Sequence, residues 1–282
     1  MTSPLLAAPR PERLAQEHPE WRVWLALLEV TAEEATRRVW ADAVLPDERP
    51  PHRPVLAGAT VRLERAVAEA WVRRLFAAAD LEPLRDAAAR SDALAIIAAA
   101  IELDVARFEA LATAAGAPPD AFAAVAPLAA VPWLEACGRR WASQGAAGGW
   151  CGVCGAWAAL AEARGLERER RLRCARCGGD WRTQWLACPF CGNGDHTRLA
   201  GLVADALGES RKVEACHDCT RYLKTVTTLS AADAAGLRLL DVATVELDVA
   251  ALERGFKRPA GLGHRLGVTV AERPARRRFR SR

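Results

Sequence analysis

Eight of the nine cysteines in this chain form four Cys-x-x-Cys pairs between positions 151 and 219. The pairs are Cys151/Cys154, Cys174/Cys177, Cys188/Cys191 and Cys216/Cys219. Two intervening residues let one tight turn aim both sulfurs at a single ion. Two such knuckles complete a tetrahedral four-thiolate site with metal–sulfur bonds of about 2.3 Å. A single pair could be a redox dithiol, but four in succession point to metal. Glycine follows the second cysteine in three pairs, as Gly155, Gly178 and Gly192, where the knuckle bends sharply.

The spacing favours sequential pairing, with one site from the first two knuckles and one from the last two. Nineteen residues separate Cys154 from Cys174, and 24 separate Cys191 from Cys216, so each interval has room for a hairpin. Only ten separate Cys177 from Cys188. Those ten, centred on Trp181–Leu186, suit one strand that ends the first ribbon and enters the second. An interleaved cross-brace is the competing arrangement.

Four protein thiolates close the shell around an ion and leave no position for substrate, which favours a structural over a catalytic metal. Such metal would supply much of the folding free energy of these small units. Zinc and iron both accept tetrahedral thiolate sets, so the ligands do not choose between them. A divalent ion with four thiolates carries a formal charge of about −2. Arg173, Arg176, Arg182, Arg211, Lys212, Arg221 and Lys224 lie nearby in sequence and could offset it, although most suit an ordinary solvated surface.

About half the 282 residues are hydrophobic and a quarter charged, enough for a buried core without disulfides. The amino terminus shows no secretory signal, and the uncharged stretch 121–134 is too short for a bilayer and holds Pro127 and Pro132. A soluble, cytoplasmic protein without membrane insertion is expected, where reduced thiols favour metal. The net charge is +4, but residues 273–282 hold six arginines and no acid. Subtracting six leaves −2 for the other residues, which argues against a dedicated nucleic-acid binder.

The predicted fold class is α+β: an all-helical amino-terminal domain, two tandem four-cysteine metal subdomains and a carboxy-terminal helical segment. The expected bounds are 1–147 for the helical domain, 150–187 and 188–229 for the metal subdomains, and 230–258 for the last helical segment. Residues 259–282 are expected to form a basic, disordered tail. Helical spacing covers 20–45, with Trp21, Trp24, Leu25, Leu28 and Val39, then 61–79, with Val67, Trp71, Leu75 and Phe76. A third run, 92–115, is capped by Asp92 or Ser91 and ended by Gly116, Pro118 and Pro119. A fourth, 121–143, breaks or kinks at its prolines. Gly145–Gly149 reads as a joint. Short strands are expected at 170–173, 181–186, 198–203 and 222–229. Ser230 with Asp233 could open a helix, and helical spacing resumes at 242–256.

The cysteine region resembles the formate dehydrogenase accessory (FdhE) family. The resemblance rests on Cys151-Gly-Val-Cys154-Gly, on Leu172-Arg-Cys174-Ala-Arg-Cys177 with Trp181, on Cys188-Pro-Phe-Cys191, and on Val213-Glu-Ala-Cys216-His-Asp-Cys219-Thr-Arg-Tyr222-Leu-Lys224. It covers residues 150–256 well and the helical part more loosely. Gly152 stands where the family often has proline, and Thr220 where it usually has glycine, which puts the bend of the last knuckle in question. The resemblance implies two rubredoxin-like metal subdomains, with two ions per chain, iron in preference to zinc. It also implies a non-catalytic maturation or chaperone role in assembling formate dehydrogenase, with its immature catalytic subunit as partner. By that resemblance the eight paired cysteines are the ligands. No catalytic residue and no organic cofactor is expected, and homo-oligomerisation stays open.

Cys137 shares a helical face with Leu134 and Trp141 and reads as a core residue. His217 lies inside the last knuckle and His196 just after the third; neither is counted as a ligand. Trp150, Trp157, Trp181 and Trp185 could stack on bases, but packing across small ribbons is the simpler reading. Tyr222 and Lys224 could touch a partner or simply pack in a strand. The arginine tail suits an acidic partner, RNA or solubility. Two competing functions remain: a rubredoxin-like electron carrier or redox sensor, and a nucleic-acid-binding zinc ribbon.

Overall fold

The computed structural model describes residues 9–44, 54–141, 148–203 and 210–273. The amino-terminal part begins with α1 (Pro11–Glu17), α2 (Arg22–Ala35) and α3 (Arg38–Ala41). The run predicted over 20–45 is thus interrupted: Arg37 is extended and the Thr36 hydroxyl donates to the Glu33 carbonyl. A short strand β1 (Thr60–Leu63) comes next, where a helix was expected to begin at Val61; the helix α4 (Arg65–Ala78) starts only after Glu64. Strand alternation holds here because Val61 and Leu63 are buried while Thr60 and Arg62 face out.

Helix α5 (Glu82–Arg90) has no counterpart among the expected runs, and the single helix expected over 92–115 is two, α6 (Ala93–Glu102) and α7 (Val105–Ala115). Asp104 causes the split, because its carboxylate accepts from the Arg107 amide and caps a new helix while Leu103 turns left-handed at φ 51°. Asp92 caps α6 through the Leu94 amide, and Gly116 ends α7 at φ 68°, both as expected. The proline-bearing run breaks into α8 (Pro119–Val125), a 3-10 turn (Ala126–Ala130) and α9 (Val131–Trp141). Together these 23 residues are long and apolar enough to cross a membrane, yet 78% of their most apolar window is buried inside the protein. The first part of the joint expected at 145–149, up to residue 147, lies outside the described residues.

The cysteine region contributes β2 (Leu160–Arg164), β3 (Glu169–Arg173), β4 (Asp180–Arg182), β5 (Leu199–Val203), β6 (Arg211–Cys216) and β7 (Tyr222–Thr228). These form one six-stranded sheet in the order β4-β3-β2-β7-β6-β5. The two cysteine halves meet where β2 runs parallel to β7, from Leu160 beside Lys224 to Arg164 beside Thr228; the other neighbours are antiparallel. The expected connecting strand over 181–186 does not form. Strand β4 stops at Arg182 on one edge of the sheet, and Leu186 turns left-handed at φ 58°. The chain therefore crosses to β5, the opposite edge, without a shared strand.

Helices α10 (Ala234–Val242) and α11 (Val245–Glu253) follow, split at Ala243 and Thr244. Asp233 caps α10 through the Gly236 amide. Leu247, Ala251 and Phe256 pack on Val213, Ala215 and Tyr222, and Leu237 and Leu240 pack on Leu160 and Val226.

The tail expected to be disordered from 259 is ordered to Arg273. Leu266 is buried, and β8 (Thr269–Glu272) pairs in parallel with β1, which ties the carboxy-terminal stretch to the helical part. Arg273 then anchors to the Glu64 carboxylate and the Asp42 carbonyl. Residues 274–282, with five of the six tail arginines, lie outside the described residues.

One continuous core joins the helical part to the first cysteine group: Trp71, Phe76, Ile97 and Trp133 belong to the same buried cluster as Cys151, Cys154, Cys174 and Cys177. Each large aromatic side chain buried here contributes about 2–3 kcal/mol. The polar edges of the tryptophans are also satisfied: the Trp71 indole donates to the Ala129 carbonyl, Trp133 to the Ala43 carbonyl, and Trp40 to the buried Glu34. Cys137 is fully buried with Leu134 and Trp141 in this core, as its helical spacing suggested.

Candidate metal centres

The eight paired cysteines gather into two groups of four, Cys151/Cys154/Cys174/Cys177 and Cys188/Cys191/Cys216/Cys219. Pairing is sequential, and the cross-brace does not occur. Within each group all sulfurs lie within 4.8 Å of one another. The Sγ–Sγ distances are 3.4 Å for Cys151–Cys177, 3.5 Å for Cys154–Cys174, and 3.7 Å for both Cys188–Cys219 and Cys191–Cys216. A disulfide needs about 2.0 Å. A tetrahedron with arms of about 2.3 Å has edges of about 3.8 Å, close to what is seen.

The knuckles share one local design. In the first three, the amide of the glycine after the second cysteine donates to the carbonyl of the first: Gly155 to Cys151, Gly178 to Cys174, Gly192 to Cys188, each at 2.9 Å. These glycines have φ of 67°, 75° and 78°. In the fourth knuckle Thr220 takes the same conformation at φ 53°. The departure at Thr220 therefore leaves the bend intact but strains it, since a β-branched residue is an outlier there. In all four knuckles the first cysteine's amide donates to the carbonyl two places beyond the second cysteine: Ala156, Gly179, Asn193 and Arg221 in turn.

The thiols of each group oppose one another's ionisation. In the first, contacts with Cys154 and Cys174 push the Cys151 thiol well up, contacts led by Cys151 push Cys177 up, and contacts led by Cys151 pull Cys174 well down. Buried sulfurs this close cannot all carry charge unaided. In the second, burial pushes Cys188 and Cys219 up; burial also opposes ionisation of Cys216, but the Cys219 and Asp218 amides bring it below the usual thiol value. A thiophilic ion relieves that repulsion, so the donor set suits zinc or iron. The two four-cysteine groups can hold two metal ions.

The two groups sit in different surroundings. All four cysteines of the first are buried, whereas in the second Cys191 is exposed and Cys219 half-buried. Backbone and helices press on the first group. A methyl group at Gly179 would come 2.7 Å from the Cys151 sulfur. Arg176, inside the second knuckle, donates to the Ala100 and Ile101 carbonyls at the end of α6. Arg238 of α10 bridges the Ala175 carbonyl and the buried Glu135 of α9. Arg238 and Glu135 are inconspicuous in the sequence; only the Gly178-Gly179 doublet marks a close approach there.

The cations near the cysteines have particular partners. Arg173 pairs with the buried Glu162 at 2.6 Å and donates to the Ala232 carbonyl. Arg182 pairs with Glu169, Lys212 with Glu214, and Arg221 lies over the Trp157 ring. Arg211 reaches the Ala243 carbonyl. Lys224 is buried, with its Nζ 2.7 Å from Asp248 and 2.8 Å from Asp241; Arg258 bonds the same two carboxylates. The Tyr222 hydroxyl donates to Asp248 at 2.7 Å, and burial with that bond pushes its pKa up to about 12. Tyr222 and Lys224 thus join β7 to α10 and α11 and are not surface contacts.

The tryptophans do not make one platform. Trp181 is buried and donates to the Gly148 carbonyl, Trp157 meets the Phe190 ring edge, and Trp150 lies beside His264. Trp185 alone among the four is exposed, with Arg170 and Lys212 over its ring. His217 packs its ring edge-on to Phe256 and is not a member of the four-sulfur group. His196 opens a 3-10 turn and helps line a groove beside the second group.

The chain is similar to the crystal structure of the FdhE protein from Pseudomonas aeruginosa. The likeness covers 94% of this chain and 100% of that one, at 22% sequence identity and a TM-score of 0.48. No family model matches this chain, and no curated protein does.

Proposed function

We propose that this protein is a non-catalytic accessory factor that helps assemble active formate dehydrogenase by holding its immature catalytic subunit in the cytoplasm. The observation that carries the reading is the closure of all eight paired cysteines into two four-sulfur groups. Four protein ligands complete each shell, so a bound ion shapes the surrounding surface and has no position for substrate. The eight cysteines are the proposed ligands, with iron favoured and zinc a ready substitute. The partner comes from the motif resemblance, above all the stretch from Cys216 to Lys224. Tyr222 and Lys224 within it serve the fold, so the binding surface must lie elsewhere.

The test is formate dehydrogenase activity in a strain lacking this protein, complemented with wild type or with Cys216→Ala/Cys219→Ala. Restoration by wild type alone supports the reading. Unchanged activity in the deletion strain, with no second copy present, rejects it. The electron-carrier alternative draws on the exposure of Cys191, which would bring a partner near the second ion. A reversible one-electron couple exchanging with a reductant would favour it.

A further inference from the structure

The two centres differ in a way that neither their common spacing nor an assembly role requires. We infer that the first centre is a fixed structural one and that the second is an exchange centre, at which an outside thiolate can replace a cysteine ligand. Three observations lead there.

The first is access. Cys151, Cys154, Cys174 and Cys177 are all buried, inside a core shared with the helices. In the second group Cys191 is exposed and Cys219 half-buried. Replacing a ligand at the first centre requires opening the core. Replacing Cys191 requires only a local movement, and local openings cost far less than global ones.

The second is strain. Three knuckles use glycine at the left-handed position, but the knuckle that presents Cys219 forces Thr220 to φ 53°. Strain of this kind concentrates at sites that must move or react.

The third is an approach path. Cys188 and Cys216 help line a groove of about 220 Å³, together with Trp185, Leu186, Lys212 and Arg221. Lys212 shares the carboxylate of Glu214 with Arg170, and among the described residues Arg221 has no carboxylate partner within ion-pair distance. The groove is large enough for a small thiol, and its cations favour the thiolate. The exchange step balances without any redox partner. The thiolate enters from the groove, on the side of Cys188 and Cys216. It forms a new sulfur–metal bond as the bond to Cys191 or Cys219, the two less buried ligands, breaks, and the freed cysteine takes up the proton that the entering thiol gave to solvent.

The experiment uses the full chain loaded with zinc. Dithiothreitol is added with a chromophoric zinc chelator, and release is followed in time. One ion per chain should leave at least about tenfold faster than the other. The fast rate should rise with thiol concentration, because the entering sulfur takes part in the step. Alkylation with N-ethylmaleimide after the fast phase, read by mass spectrometry, should label Cys188, Cys191, Cys216 and Cys219 and spare Cys151, Cys154, Cys174 and Cys177. Thr220→Gly should slow the fast phase and leave the slow one unchanged. Release of both ions at one rate, labelling of the first group ahead of the second, or a fast rate indifferent to thiol would overturn the inference. So would a fast rate unmoved by Thr220→Gly.

Discussion

Gly138 of α9 lies so close to the second knuckle that a methyl group on its Cα would fall 1.7 Å from the Cys177 carbonyl oxygen. The neighbour is backbone, tied by its cysteine to the buried group, and has no flexible end that could yield. Helix and knuckle therefore meet through a contact that only glycine permits. Gly138→Ala should destabilise the protein by about 3 kcal/mol, at the upper end of overpacking costs. Gly201→Ala is the control: it lies within β5 with nothing within 4 Å of the added methyl, and should leave stability unchanged or raise it by up to about 1 kcal/mol. Urea denaturation of both variants checks the difference.

Lys224 is buried at the centre of a charge network whose other members, Asp241, Asp248 and Arg258, are half-buried. Removing the ammonium leaves two carboxylates facing one remaining cation. Lys224→Met keeps most of the apolar stem and should still cost about 3 kcal/mol, because the loss is of charge compensation and not of volume. Thermal unfolding would show it. Loss of less than about 1 kcal/mol would mean that solvent already screens the network.

The same network sets an acid limit. Burial opposes ionisation of Asp241, but the Arg258 and Lys224 charges win and hold its pKa below the ordinary 3.8. Asp180 is likewise depressed against burial, by Arg171, Arg173 and Arg164. A carboxylate whose folded pKa is lowered stabilises the fold above its unfolded value, and that stabilisation is lost as pH falls through the folded value. Stability should therefore decline as pH drops below about 4. In Lys224→Met, Asp241 has lost one of the two cations that depress it, so its folded value moves back toward the unfolded one and its share of the acid decline should be smaller. Denaturation midpoints measured from neutral pH downward test both statements.

The cysteine groups and their sequential pairing were legible because thiolate spacing is a short-range signal that no later packing alters. Helix starts at Asp92 and stops at Gly116 were legible for the same reason. What lay hidden depends on contacts between distant segments. Strand β1 pairs with β8 across more than 200 positions of sequence, and four alternating residues such as 60–63 look like the first turn of the helix behind them. The sheet that unites both cysteine halves rests on the parallel pairing of β2 with β7, which no local pattern announces. Lys224 read equally well as a surface contact, since its carboxylate partners lie 17 and 24 positions away.

Thr220 is the one knuckle residue whose sequence and conformation disagree. Its left-handed backbone costs about 1–2 kcal/mol for a residue with a Cβ, and β-branching adds to that. Glycine removes the clash but gains freedom in the unfolded chain, which returns up to about 1 kcal/mol. Thr220→Gly should therefore stabilise the protein by roughly 0.5–1 kcal/mol. The reverse change in the third knuckle, Gly192→Thr, should destabilise by a similar amount, although nothing crowds its added Cβ. Opposite signs in the two variants, read from denaturation midpoints at saturating zinc, would show that backbone conformation decides the effect. Destabilisation by both would instead assign Thr220 a favourable contact, for which its hydroxyl bond to the Cys219 carbonyl is the available source.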